Sequence, residues 1–61
     1  MSEELGLAAT FDKLRTLKDR KPAYTIAQAN VKGYCDFLAG DGQRYRLTSD
    51  KGRKFTVRKL P

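Results

Sequence analysis

The sequence predicts an α+β domain, an N-terminal helix packed on a three-stranded antiparallel β-meander, and three observations predict it. Apolar residues recur at helical spacing through Leu7, Phe11, Leu14 and Leu17. The C-terminal half instead alternates polar and apolar residues, in Arg44-Tyr45-Arg46-Leu47-Thr48 and again in Lys54-Phe55-Thr56-Val57-Arg58. Two turn signals, Gly40-Asp41-Gly42 and Asp50-Lys51-Gly52, separate the candidate strands. The 61 residues suffice for one small domain, spanning 1–61. A chain of this size buries only roughly 60% of the surface it exposes when unfolded, so its core is modest and a deep pocket is not expected.

The helix is expected over residues 3–19. Ser2 is placed to cap it, and Glu3 and Glu4 suit the positive end of its macrodipole. Lys18, Arg20 and Lys21 suit the other end, and Gly6 weakens the first turn by about 1 kcal/mol relative to Ala. Pro22 stops the helix.

Strands are expected near residues 31–38, 43–49 and 53–59. In the second hairpin, a type I turn with Gly52 left-handed pairs Ser49 with Arg53. Leu47 then lies opposite Phe55, Tyr45 opposite Val57, and Arg44 opposite Arg58. In the first hairpin, pairing of Ala39 with Gln43 puts Phe37 opposite Tyr45, Cys35 opposite Leu47 and Asp36 opposite Arg46. One face of the sheet then carries Val31, Cys35, Phe37, Tyr45, Leu47, Phe55 and Val57, with the helix across it.

Residues 26–38 also admit a helical reading. Ala27, Val31, Tyr34, Cys35 and Leu38 fall on one helical stripe, with Thr25 as cap and Gly40 as stop. The string Tyr45-Arg46-Leu47-Thr48 followed by Lys51-Gly52-Arg53 is similar to strings near the wings of some winged-helix regulators, over fewer than ten residues. That resemblance implies the alternative, a small winged-helix-like α+β domain with the hairpin as its wing. Asn30 and Gly33 weigh against a helix through this segment, and the meander is the preferred reading. The stretch 24–30 is open between a short strand, a loop and a helical turn.

Charge gives the functional direction. The chain carries 13 basic and 7 acidic residues, a formal net charge of +6. Residues 1–21 hold five basic side chains (Lys13, Arg15, Lys18, Arg20, Lys21) against four acidic ones, a balance of +1. Residues 31–61 hold eight (Lys32, Arg44, Arg46, Lys51, Arg53, Lys54, Arg58, Lys59) against Asp36, Asp41 and Asp50, a balance of +5. A one-sided positive surface attracts polyanions. In the meander the open sheet face displays Lys32, Tyr34, Arg44, Arg46, Lys54 and Arg58, with Lys51 and Arg53 at the hairpin tip. These eight are the candidate nucleic-acid contacts. Arginines fork onto phosphates or guanine edges, and Tyr34 offers a plane for a base. The same alternation also arises on any one-sided antiparallel sheet.

Catalysis has little to work with. No histidine is present and there is one cysteine, which removes histidine-based acid–base pairs and Cys/His zinc sites. Asp41 and Asp50 sit in turns, and Cys35 reads as a core residue. The expectation is a non-enzymatic protein without cofactor or metal. The lone cysteine fits a reducing, cytoplasmic compartment, and the charges at Glu3, Glu4 and Asp12 interrupt any membrane or signal segment. The expected partner is DNA or RNA. The alternative is an adaptor or inhibitor docking through the same basic face on an acidic protein surface, with Leu38 and Leu60 as apolar anchors. The oligomeric state is left open.

Overall fold

A computed structural model describes residues 4–61. Two helices, α1 (Leu7–Thr16) and α2 (Pro22–Lys32), precede strands β1 (Tyr34–Leu38), β2 (Arg44–Asp50) and β3 (Lys54–Lys59). The strands form one antiparallel sheet in the order β1-β2-β3. The helices cover one face, α2 over β1 and β2, α1 against α2 and β3. This is the α+β meander, with a second helix in the stretch that periodicity alone does not decide.

Helix α1 is shorter at both ends than the expected 3–19. Gly6 is its N-cap, and the expected cap Ser2, with the macrodipole residue Glu3, lies outside the described residues. The hydroxyl of buried Thr10 donates to the Gly6 carbonyl at 2.7 Å, which satisfies a polar group that burial would otherwise penalise. The C-terminus closes well before Pro22. Asp19 N–H donates to the Leu14 carbonyl and Lys18 N–H to the Arg15 carbonyl, with Lys18 left-handed at φ 60°. That is a Schellman stop, built here on a lysine instead of the usual glycine.

Pro22 therefore begins a helix. It occupies the first turn of α2, where its missing N–H is no loss and its fixed φ is already helical. Asp19 accepts from the Lys21 N–H (3.2 Å) and the Thr25 hydroxyl (2.6 Å), tying the inter-helix turn to the new helix. Thr25 is thus a buried first-turn residue, not the cap of a helix running to Gly40. Gly33 ends α2 at φ 91°, its N–H on the Ala29 carbonyl, and turns the chain directly into β1. Residues 26–38 therefore divide between the two expectations, helix through Lys32 and strand from Tyr34. Val31 accordingly sits on the outer side of α2, 80% exposed, and leaves the expected apolar face.

The first hairpin has the expected register, Cys35 opposite Leu47, Asp36 opposite Arg46 and Phe37 opposite Tyr45. The second is shifted by two. Leu47 faces Val57, Ser49 faces Phe55, Tyr45 faces Lys59, and Arg46, not Arg44, faces Arg58. The cause is the turn. Lys51 is left-handed as well as Gly52 (φ 55° and 73°), so the loop closes between Asp50 and Lys54, one residue later on each strand. A shift of two preserves every side-chain face.

The core comprises Leu14, Ile26, Ala29, Phe37, Leu47 and Phe55, with Leu17, Cys35, Tyr45 and Val57 packed on it. Phe11 is not part of it. At 37% exposure it lies with Leu7 on the outer side of α1, because Thr10 and Leu14 are the residues α1 turns inward. The outer edge of β3 is covered by Leu5, which exchanges two 2.8 Å backbone hydrogen bonds with Phe55. No helix among the described residues is long and apolar enough to cross a membrane.

Candidate nucleic-acid interface

The face of the sheet away from the helices carries the even-numbered side chains of all three strands, as strand alternation requires. Its rows follow from the register. Thr48 lies between Tyr34 and Thr56, Arg46 between Asp36 and Arg58, and Arg44 beside Leu38. Of the eight candidate residues, Tyr34, Arg44, Arg46, Lys54 and Arg58 share this face. Lys51 and Arg53 sit in the β2–β3 loop, and Lys32 ends α2.

These residues are not equivalent electrostatically. Asp36 holds the Arg46 guanidinium with both oxygens, at 2.7 Å from Nε and 3.2 Å from Nη2. The hydrogen bond from Arg46, reinforced by its charge, keeps the Asp36 carboxyl below its ordinary range. The same guanidinium stacks over the Tyr34 ring, 4.7 Å from its centroid. Asp36, Arg46 and Tyr34 thus form a self-satisfied cluster at the β1 side. Lys54 is paired with Glu4 at 3.1 Å. Arg44 and Arg58 form no ion pair among the described residues, nor do Lys32, Lys51 and Arg53. Among the eight candidates, the charges without an ion pair are thus Arg44 and Arg58 on the sheet, Lys51 and Arg53 at the hairpin tip, and Lys32, which lies beside Tyr24, Gln28 and Tyr34 at the end of α2; Lys13, Arg15, Lys18, Arg20, Lys21 and Lys59 also form none among the described residues.

The tip is held in place by α2. Ser49 N–H donates to the Gly33 carbonyl at 2.9 Å, and its hydroxyl donates to Asn30 Oδ1 at 2.7 Å. The same hydroxyl accepts the Gly52 N–H at 3.1 Å. Lys32 lies between Asn30 and Gly33 in sequence, so this bracing also brings the end of α2 to the hairpin. In the sequence, Asn30 stands out only as a poor helix residue. Its role depends on the spatial approach of α2 to the tip, for which the sequence holds no signal.

A shallow groove of about 220 Å³ opens at the far end of the open face, lined by Asp36, Phe37, Leu38, Arg44 and Leu60. Pockets for drug-sized molecules run roughly 300–1,000 Å³, so this one suits a side chain. Leu60 is fixed there by its N–H bond to the Arg44 carbonyl, and Leu38 is 61% exposed. On the helix side, Phe37 and Tyr45 stack with ring centroids 5.8 Å apart, and burial pushes the half-buried Cys35 thiol above its ordinary range. No three His, Cys, Asp or Glu side chains among the described residues are grouped to hold a metal ion. Comparisons of the chain with family models, curated proteins and solved structures find no match.

Proposed function

We propose that this protein is a small, non-enzymatic nucleic-acid-binding module of the cytoplasm that contacts phosphates through its open sheet face and hairpin tip. The observation that carries the reading is the set of arginines on the open face, two of which form no ion pair. Arg44 and Arg58 share an open face with Arg46, Arg58 stands directly opposite Arg46, and neither Arg44 nor Arg58 has an acidic partner among the described residues. Asp36 already neutralises Arg46, which leaves Arg44 and Arg58 as the cations of this face available to a polyanion. Of the eight candidates, Arg44, Arg58, Lys51, Arg53 and Lys32 meet the nucleic acid directly in this reading. Arg46, Tyr34 and Lys54 are engaged within the protein and shape the surface.

The test is the salt dependence of binding. Removing one cation that neutralises a phosphate lowers the log–log slope on a duplex by roughly 0.9. Arg44→Ala/Arg58→Ala is expected to lower affinity, and to lower the slope by about twice that amount, with the fold intact. Arg15→Ala on α1 is expected to leave both near wild type. A weakened α1 variant beside an unaffected sheet variant places the surface elsewhere.

A second reading is favoured by the Leu38–Leu60 groove. Two leucines beside the free Arg44 suit an apolar side chain flanked by a carboxylate on an acidic protein, which is the docking surface of an adaptor or inhibitor. Retention on an acidic protein partner with no binding to DNA or RNA at low salt selects it.

A further inference from the structure

The outer edge of β1 is open to pairing with another chain. Its phase is fixed at both ends, where the Ser49 N–H donates to the Gly33 carbonyl and the Ala39 N–H to the Gln43 carbonyl, each at 2.9 Å. Cys35 and Phe37 therefore exchange hydrogen bonds with Leu47 and Tyr45, and Tyr34, Asp36 and Leu38 turn their backbone groups away from the sheet. Among the described residues these outward groups meet one polar contact, the Cys35 thiol donating to the Asp36 carbonyl at 3.6 Å. The opposite edge differs. Leu5 bonds Phe55 there, and Lys54, Arg58 and Lys59 charge β3. Charged and proline residues are devices that keep an edge from pairing. Strand β1 holds no lysine, arginine or proline, and its one charge, Asp36, is neutralised by Arg46.

A groove flanks each end of this edge. At the Tyr34 end, about 320 Å³ opens between α2 and β1, lined by Tyr24, Gln28, Lys32, Tyr34, Cys35 and Asp36. At the Leu38 end lies the smaller groove beside Arg44 and Leu60. Each groove combines an exposed apolar side chain with a cation that forms no ion pair among the described residues. Tyr24 accompanies Lys32 at one end, and Leu38 accompanies Arg44 at the other. An extended strand the length of β1 spans about 17 Å, so one strand laid along the edge reaches both grooves.

We propose that the β1 edge takes a fourth strand, supplied by an extended segment of a partner protein with an apolar centre and acidic ends. Backbone groups of the segment pair with those of Tyr34, Asp36 and Leu38, which gives the affinity. Its side chains enter the two grooves, and its terminal carboxylates meet Lys32 at one end and Arg44 at the other, which gives the selectivity. Donors and acceptors alternate along the edge at peptide spacing. A phosphate backbone offers acceptors alone and leaves the edge carbonyls unmet. A second copy of this chain brings the same unpaired cations, and the carboxylate of its β1 is already held by its own Arg46, so charge selects the acidic segment over self-pairing. Strand addition at this edge goes beyond the nucleic-acid reading and stands without it.

The probe is the end-capped peptide Glu-Glu-Val-Leu-Val-Leu-Glu-Glu, with a control in which lysine replaces each glutamate. Fluorescence anisotropy gives the affinity of the full chain for each, and amide hydrogen exchange followed by nuclear magnetic resonance locates the contact. Exchange at the Asp36 and Leu38 amides is expected to slow roughly tenfold or more in the complex, whereas Phe37, already bonded to Tyr45, changes little. The lysine peptide is expected to bind at least several-fold more weakly. Leu38→Pro removes one outward donor without touching the β1–β2 hydrogen bonds and is expected to abolish binding. Lys32→Glu, exposed at the end of α2, is expected to weaken it several-fold and carries the test if melts show Leu38→Pro unfolded. Absence of binding overturns the proposal, as does equal binding of the lysine peptide, or binding that leaves exchange at Asp36 and Leu38 unchanged. Protection of those two amides in the free protein that rises with its concentration assigns the edge to a second copy and overturns it as well.

Discussion

Truncating Phe55 is the sharpest test of the packing. It is the largest fully buried side chain, at 0% exposure in β3, and its backbone also holds Leu5. Phe→Ala in a closed core costs about 3–5 kcal/mol, because the forfeited transfer energy is joined by the cavity left behind. A 61-residue domain has a total stability of roughly 3–9 kcal/mol. Phe55→Ala therefore removes a third of the stability at least, and at the low end unfolds the protein at room temperature. Phe11→Ala supplies the contrast. Phe11 is 37% exposed and lies outside the core cluster, so its truncation forfeits part of a transfer energy and leaves no enclosed cavity, about 1–2 kcal/mol. Urea melts followed by far-ultraviolet circular dichroism measure both, with a slope near 1 kcal/mol per molar expected for a small domain. Equal losses in the two variants, or a near-native Phe55→Ala, refute this placement of the core.

Two further perturbations probe features that position the site. Gly33→Ala meets no atom within 4 Å but forces a side chain into φ 91°, so it is expected to cost about 1–2 kcal/mol in the same melts and to loosen the junction of α2 with β1. Asp36→Asn weakens the pairing with Arg46. Both side chains are exposed (43% for Arg46, 41% for Asp36), so the loss at neutral pH is small, about 0.2–1 kcal/mol. The native pKa of Asp36 is depressed, so its contribution is complete above the unfolded value of about 3.9 and disappears as pH falls through the native one. The gap between wild type and Asp36→Asn in urea melts is therefore expected at pH 7 and closes only as pH falls below the unfolded value and through the native one; a gap that widens on acidification contradicts the assignment.

Much of the fold is legible in the sequence because period and turn chemistry agree in the C-terminal half. The alternation from Arg44 to Thr48 and the Ala39–Gln43 turn fix the first hairpin, since a slip of one residue would turn Phe37 and Leu47 to solvent. The second register is less determined. Shifts of two preserve the alternation, and the choice rests on a left-handed Lys51 that propensity disfavours. Helix α2 is obscured because Pro22 reads equally as a stop and as a start, and because its apolar residues Tyr24 and Val31 face outward while Thr25 and Ala29 face the core. Phe11 misleads for a related reason. The helical stripe is correct in period, but α1 rotates so that buried Thr10 shares the inner side with Leu14. For the candidate surface, strand phase locates the open face correctly. Phase carries no information on pairing, so the engagement of Arg46 with Asp36 and Tyr34, of Lys54 with Glu4, and the brace from Asn30 emerge only in three dimensions.

The central claim is that the open sheet face and the braced tip are where nucleic acid binds. The most direct measurement is a set of amide chemical-shift changes recorded while the protein is titrated with a short DNA duplex. The account predicts shifts concentrated at Arg44, Arg46 and Arg58, through Lys51–Arg53, and at Lys32, with the outer sides of α1 and α2 unchanged. Shifts centred instead on Tyr24, Ala27 and Val31, or on Leu7 and Phe11, would contradict it.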